Sequence, residues 1–317
     1  MNSKKVNWLF TSIIILNVLV IILAALYPEG ISIGMLPALL VSQAMIFVPA
    51  ALFLVFTKTK PSDLIQMAKP KWSLSLLVVL ITFMIMPLIT AVNALSMLFV
   101  ENEVTNMQAL FLEVPWWLLI LVVGFVGPFS EEAVFRGVIY HGYRRSGRFV
   151  AAMLMSSVLF GLMHLNFNQM SYAIVVGIVG VLLIEGTGSI FYSILFHATI
   201  NTSNVLMMLS QDPATSSMDA AQTQEMVESL MKMPYREAMC VVCAVYILIA
   251  CVTTSIAGCL YYLILKKEGR TEHVRLLFAK EGKSAVREQN QKIWSWPLVI
   301  SMVLCLIYMI AEIALIK

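Results

Sequence analysis

The fold class this sequence predicts is an all-α, polytopic integral membrane protein of about eight to nine transmembrane helices, and three observations lead there. Of 317 residues, 60% are hydrophobic and only 12% are charged, where a soluble globular domain sits nearer half and a quarter. One water-facing core cannot hide that much apolar surface, so the bilayer is the expected solvent. The apolar residues also fall into runs close to the ~20 residues that cross a bilayer as a helix. Finally, the ten-residue alternating pattern of a membrane barrel is missing, and a backbone in hydrocarbon must then satisfy its polar groups within helices.

The runs lie near residues 8–27, 31–56, 73–99, 114–140, 149–165, 170–184, 189–209, 237–265 and 294–316. They follow one another almost end to end, so residues 1–317 read as a single membrane domain. The first run follows Lys4 and Lys5 and is longer than the ~7–15 apolar residues of a secretory signal, which predicts a retained helix. With the N-terminus in the cytoplasm and the helices alternating, 17 of the 21 basic residues fall on the cytoplasmic side, the bias expected of a membrane protein so oriented. The opposite loop at 100–113 carries Glu101, Glu103 and Glu113 and no basic residue. Residues 210–236 mix Met218, Met226, Leu230 and Met231 with polar positions, as an amphipathic surface helix or a solvated loop would. Residues 266–293 form a basic cytoplasmic connector. A net charge of +3 makes no case for nucleic acid. Cys240 and Cys243 have C-x-x-C spacing but lie in an apolar run without a second pair, so they read as small packing residues.

Function is legible in the residues that lipid should reject. Ionisable groups inside a span are costly and face a cavity or one another. The fourth run contains Ser130-Glu131-Glu132-Ala133-Val134-Phe135-Arg136. Glu132 and Arg136 are four apart and can pair on one helix face. Glu131 points about 100° away and has no such partner, which suits a general base. Pro128 is expected to open the helix backbone just before the pair. The fifth run carries His164, four residues after Phe160. The seventh carries His197 and Asn201, again four apart. Three helices supplying polar groups to lipid are most simply satisfied by one shared site.

That inventory serves two mechanisms. In one, Glu131 with His164 activates a water, and His197 and Asn201 donate to the developing oxyanion. In the other, His164, His197 and Glu131 hold Zn²⁺ with an open position for water, although the H-E-x-x-H spacing is missing. One geometric tension accompanies either. Counted from the cytoplasmic ends of their runs at ~1.5 Å per residue, Glu131, His197 and His164 lie about 20, 12 and 23 Å deep, depths that should agree if the groups meet.

In order, E-E-x-x-x-R, F-x-x-x-H and H-x-x-x-N within 71 residues resemble the motif set of the type II CAAX prenyl proteases and their bacterial relatives, the CAAX-protease and bacteriocin-processing (CPBP, Abi) family. The resemblance covers residues 114–209, which are the expected catalytic core. It implies that Glu131 activates water with help from His164. It further implies that Glu132 and Arg136 hold the site together, and that His197 and Asn201 bind the oxyanion. The family has been described both as glutamate-dependent and as metal-dependent, so the zinc alternative stays open at this point. The function so implied is an intramembrane endopeptidase cutting a membrane-associated or lipidated peptide or protein. Its expected location is a bacterial plasma membrane, and its expected partners are the substrate and the lipid bilayer, with no nucleic acid. The alternative is a non-catalytic bacteriocin-immunity or scaffold protein of the same fold.

Overall fold

Among the residues described by the computed structural model (2–26, 34–64, 67–102, 107–211, 220–279 and 292–316), nine helices of 15 residues or more follow the nine apolar runs. They are α1 (Ser3–Leu26), α2 (Met35–Phe56), α3 (Trp72–Ser96), α4 (Trp116–Arg144), α5 (Phe149–Met163), α6 (Phe167–Thr187), α7 (Ile190–Leu209), α8 (Tyr235–Lys267) and α9 (Trp296–Ile316). Seven are long and apolar enough to cross a membrane. The other two are α5, which has 15 residues, and α7, whose His197, Asn201, Thr202, Ser203 and Asn204 dilute its hydropathy. Both pack among the longer helices, where protein rather than lipid meets their polar groups. Glu103, Met218, Lys280, Lys283 and Arg287 lie outside the described residues.

The helices are held by close approach, since apolar lipid offers no hydrophobic drive for helices to associate. α3 packs along α8, and α6 packs between α5 and α7. A Cβ at Gly124 of α4 would stand 2.6 Å from Thr202 Oγ1 of α7, and one at Gly180 of α6 would stand 2.6 Å from Ser193 Oγ of α7. Only glycine lets α7 lie that near both neighbours. Polar bonds across helices add to this. Asn168 Nδ2 of α6 donates to Asn93 Oδ1 (2.8 Å) and Ser96 Oγ (2.7 Å) of α3.

The basic ends of the helices gather on one face. Lys71 pairs with Glu268 at 2.8 Å. Arg144 Nε reaches Glu185 Oε1 at 3.1 Å, Arg270 Nε donates to the Glu185 carbonyl, and His273 Nε2 lies 2.7 Å from Glu185 Oε2. Glu185 and His273 are thus partners, with Glu185 only 4% exposed. Glu185 needs two distant segments to satisfy it: α4 through Tyr140 and Arg144, and the stretch ending in the helix Thr271–Phe278 through Arg270 and His273. The Ala220–Met231 stretch is helical, as one reading of the 210–236 loop expects, and packs against α8.

Candidate active site

Helix α4 is not regular. Gly127–Glu132 is α-helical between two π-helical stretches, Ile120–Val126 and Ala133–Tyr140, a feature common at functional sites. The cause is visible in the bonds. The Gly127 N–H reaches back five residues to the Val122 carbonyl. Pro128 has no N–H to offer the next carbonyl in that ladder. Val123 O is therefore left without its ladder donor, and Asn201 Nδ2 of α7 supplies one at 3.0 Å. Pro128 does not break the helix; it widens it and frees a carbonyl that docks α7.

Glu132 is enclosed. Its Oε1 lies 3.1 Å from Arg136 Nη1, with both side chains 1% exposed. The same oxygen takes a bond from His197 Nδ1 at 3.0 Å, and Oε2 takes one from Ser193 Oγ at 2.5 Å. The Arg136 contact is an ion pair without aligned hydrogen bonds, since neither Nη1 nor Nη2 has a hydrogen-bond partner among the described residues. The guanidinium carbon instead sits 4.1 Å over the Phe160 ring, where the electron-rich face attracts a cation. The same ring stands nearly perpendicular to both histidine rings, with centroids 5.1 Å from His164 and 5.7 Å from His197.

Glu131 faces the other way, into a cavity of about 430 Å³ whose wall also holds His164, His197, Asn201, Phe160 and Tyr172. His197 Nε2 is 3.8 Å from Glu131 Oε2. Because Nδ1 of that ring donates to Glu132, Nε2 is the nitrogen turned to the cavity. His164 ends α5, and its Nδ1 donates to the Phe160 carbonyl at 2.9 Å, so its Nε2 is likewise free of the backbone. The tight turn that follows places Leu165 at φ 53° and ends when the Asn166 side chain caps α6 on the Gln169 N–H at 3.0 Å. His141 lies elsewhere, with Nδ1 on the Arg136 carbonyl at 2.6 Å.

All six residues singled out from sequence thus meet, and the depth conflict has a physical resolution. The turn from α6 to α7 is covered by the segment before α3. Ser189 is 1% exposed, bridged to Met67, with its Oγ on the Ala68 carbonyl, while Tyr192 OH takes the Lys71 N–H at 2.8 Å. α7 starts beneath the segment before α3, so His197 is deeper than a count from the loop implies. The three residues named for zinc share the cavity wall, yet among the described residues no three His, Cys, Asp or Glu side chains converge as a metal set.

Comparison with known proteins bears on this same region. Residues 113–203 match the family model "Type II CAAX prenyl endopeptidase Rce1-like". The likeness falls on the segment that builds the site. It contains every residue of the three motifs. Over 107 residues, 34% of the chain, the sequence is 32% identical to "Putative membrane peptidase YdiL" of Bacillus subtilis (strain 168). The chain spans 43% of that relative's length. No solved structure matches.

Sequence reasoning passed over several members of this site. Ser193 is one, although Ser193, His197 and Asn201 form a single i, i+4, i+8 stripe that periodicity alone could have flagged. Phe160 was noted only as a motif position. Gln169 and Tyr172 of α6 line the cavity, and no spacing rule links them to the other three helices.

Proposed function

We propose that this chain is an intramembrane endopeptidase that cuts a peptide bond in a membrane-associated or lipidated peptide or protein with a water activated by Glu131. The observation that carries the reading is the division of labour between adjacent carboxylates. Glu132 is used up by Arg136, His197 and Ser193, whereas Glu131 opens onto the cavity beside two histidines.

In the reaction, Glu131 takes a proton from water as the oxygen attacks the scissile carbonyl carbon. The base contributes typically ~10²–10⁴-fold. The carbonyl π electrons move onto oxygen, and the oxyanion is met by hydrogen bonds from the second hydrogen of Asn201 Nδ2 and from the Nε2–H of His197 in its doubly protonated form, its Nδ1–H staying on Glu132. Each such donor is worth ~10²–10³-fold. Collapse of the tetrahedral adduct breaks the C–N bond, and Glu131 returns its proton to the leaving amine. His164 Nε2 assists by holding the water. Glu132 orients His197 through Nδ1, and Arg136, stacked on Phe160, keeps Glu132 ionised and in place. The test compares released peptides and new C-termini in host membranes carrying wild type or Glu131→Gln. Products found only with wild type support the reading; identical profiles from two folded proteins favour the immunity or scaffold alternative.

A further inference from the structure

The cavity runs to one face of the bundle, and that face is opposite the basic one. Its wall continues from Glu131 to Asn102, Gln108 and Phe111 before α4, and to Met208 and Gln211 at the end of α7. These are the ends of helices remote from the cluster of Arg144, Arg270, Lys71 and Glu185. A membrane protein keeps its Lys- and Arg-rich loops in the cytoplasm. The cavity mouth therefore points away from the cytoplasm.

The chemistry of the mouth narrows what enters. Gln108 Nε2 donates to Gln211 Oε1 at 2.6 Å across it, and Asn93, Asn204 and Gln169 stand deeper. Carboxamides offer donors and acceptors together without charge, which matches the unpaired N–H and C=O groups of an extended peptide. The surfaces between them are apolar. Among the described wall residues there is no Lys, Arg or Asp, and Glu131 is the single carboxylate. A free carboxylate or a phosphate would find no Lys or Arg there among the described residues.

From these two observations, and resting on the peptidase reading above, we propose that the substrate is an uncharged, extended peptide segment presented from the non-cytoplasmic side, cut internally rather than at a free C-terminal carboxylate. An exported or membrane-emergent chain qualifies, whereas a cytoplasmic lipidated tail does not.

The test has two arms. In the first, a single cysteine is placed at the mouth (Gln211→Cys) or on the basic face (Arg145→Cys), in the native background and in one with the five native cysteines replaced. Intact cells are treated with a membrane-impermeant maleimide, and the same labelling is run on the Glu131→Gln chain. The proposal expects the mouth cysteine to be labelled in intact cells and the basic-face cysteine only after lysis, whatever residue stands at 131. The opposite pattern overturns it, even if the protein proves to be a peptidase. In the second arm, wild type in right-side-out vesicles meets two internally quenched peptides, one apolar and uncharged, one with a Lys and an Asp beside the same bond. Cleavage of the first at least tenfold faster supports the proposal; equal rates, or preference for the charged peptide, overturn it. If neither peptide is cut, by wild type or by membranes, while labelling is as expected, the peptidase reading fails and the orientation stands.

Discussion

Removing the charge of Glu132 while keeping its shape (Glu132→Gln) should unfold the site, whereas the same change one residue earlier should not. The magnitude follows from what Glu132 holds. Arg136 is 1% exposed, and once its partner is neutral its charge is buried without compensation, a loss worth about 3–5 kcal/mol. The bonds from Ser193 and His197 then end on a neutral amide rather than an anion, a further ~1 kcal/mol between them. Against a total stability of about 5–15 kcal/mol, that lowers the folded-to-unfolded ratio by roughly 10³–10⁴-fold. Glu131 has its carboxylate at the cavity and one contact at 3.8 Å, so Glu131→Gln should shift stability by less than about 1 kcal/mol. The assay is reversible unfolding in mixed detergent micelles, followed by circular dichroism. The double variant Glu132→Gln with Arg136→Met removes both charges and should recover most of the loss, since apolar replacement of a buried pair is often neutral or stabilising. If Glu132→Gln is as stable as wild type, or if the double variant is no better than the single one, the pair does not hold the site together.

Three other outcomes follow from the same geometry. Asn201→Ala should cost about 1–3 kcal/mol by leaving the Val123 carbonyl unsatisfied, and Pro128→Ala, which returns an N–H to α4, should soften that loss; a double-mutant cycle with no coupling would contradict the link. Gly180→Ala puts a methyl 2.6 Å from Ser193 Oγ and 3.3 Å from Arg136 Nε, so a cost of about 1–3 kcal/mol is expected; Ser193→Ala should relieve part of it in the same unfolding assay. Because the proposed water is activated by Glu131 with His164, cleavage by the purified protein should survive a strong chelator, and loss of activity restored by added Zn²⁺ would redirect the mechanism to Glu131, His164 and His197 as ligands.

Much of this was legible from residues in a row. A bilayer forces helices, so apolar runs mark them, and the i, i+4 relation of Glu132 to Arg136 foretells a pair that is found at 3.1 Å. The unusual cost of charge in lipid is why the six site residues stand out at all. What could not be read depends on contacts between distant segments. A run of apolar residues does not say where its helix starts relative to the membrane face, so the burial of Ser189 under Met67 and Ala68 was invisible and His197 looked too shallow. Phe160 is an ordinary apolar residue by composition, and only the assembled bundle brings Arg136 over its face and stands two imidazole rings nearly perpendicular to it. Asn201 carries a second task for a related reason: the carbonyl it satisfies is released by a proline 73 positions away in sequence.

The central claim is that Glu131 is the base and Glu132 the scaffold. The measurement that addresses it most directly is the rate of cleavage by purified wild type and Glu131→Gln, reconstituted in lipid vesicles at matched folded protein. The uncharged quenched peptide serves as substrate. The account predicts a fall of at least about 10²-fold in kcat, with stability and peptide affinity unchanged. Cleavage by Glu131→Gln within a few-fold of wild type would contradict it.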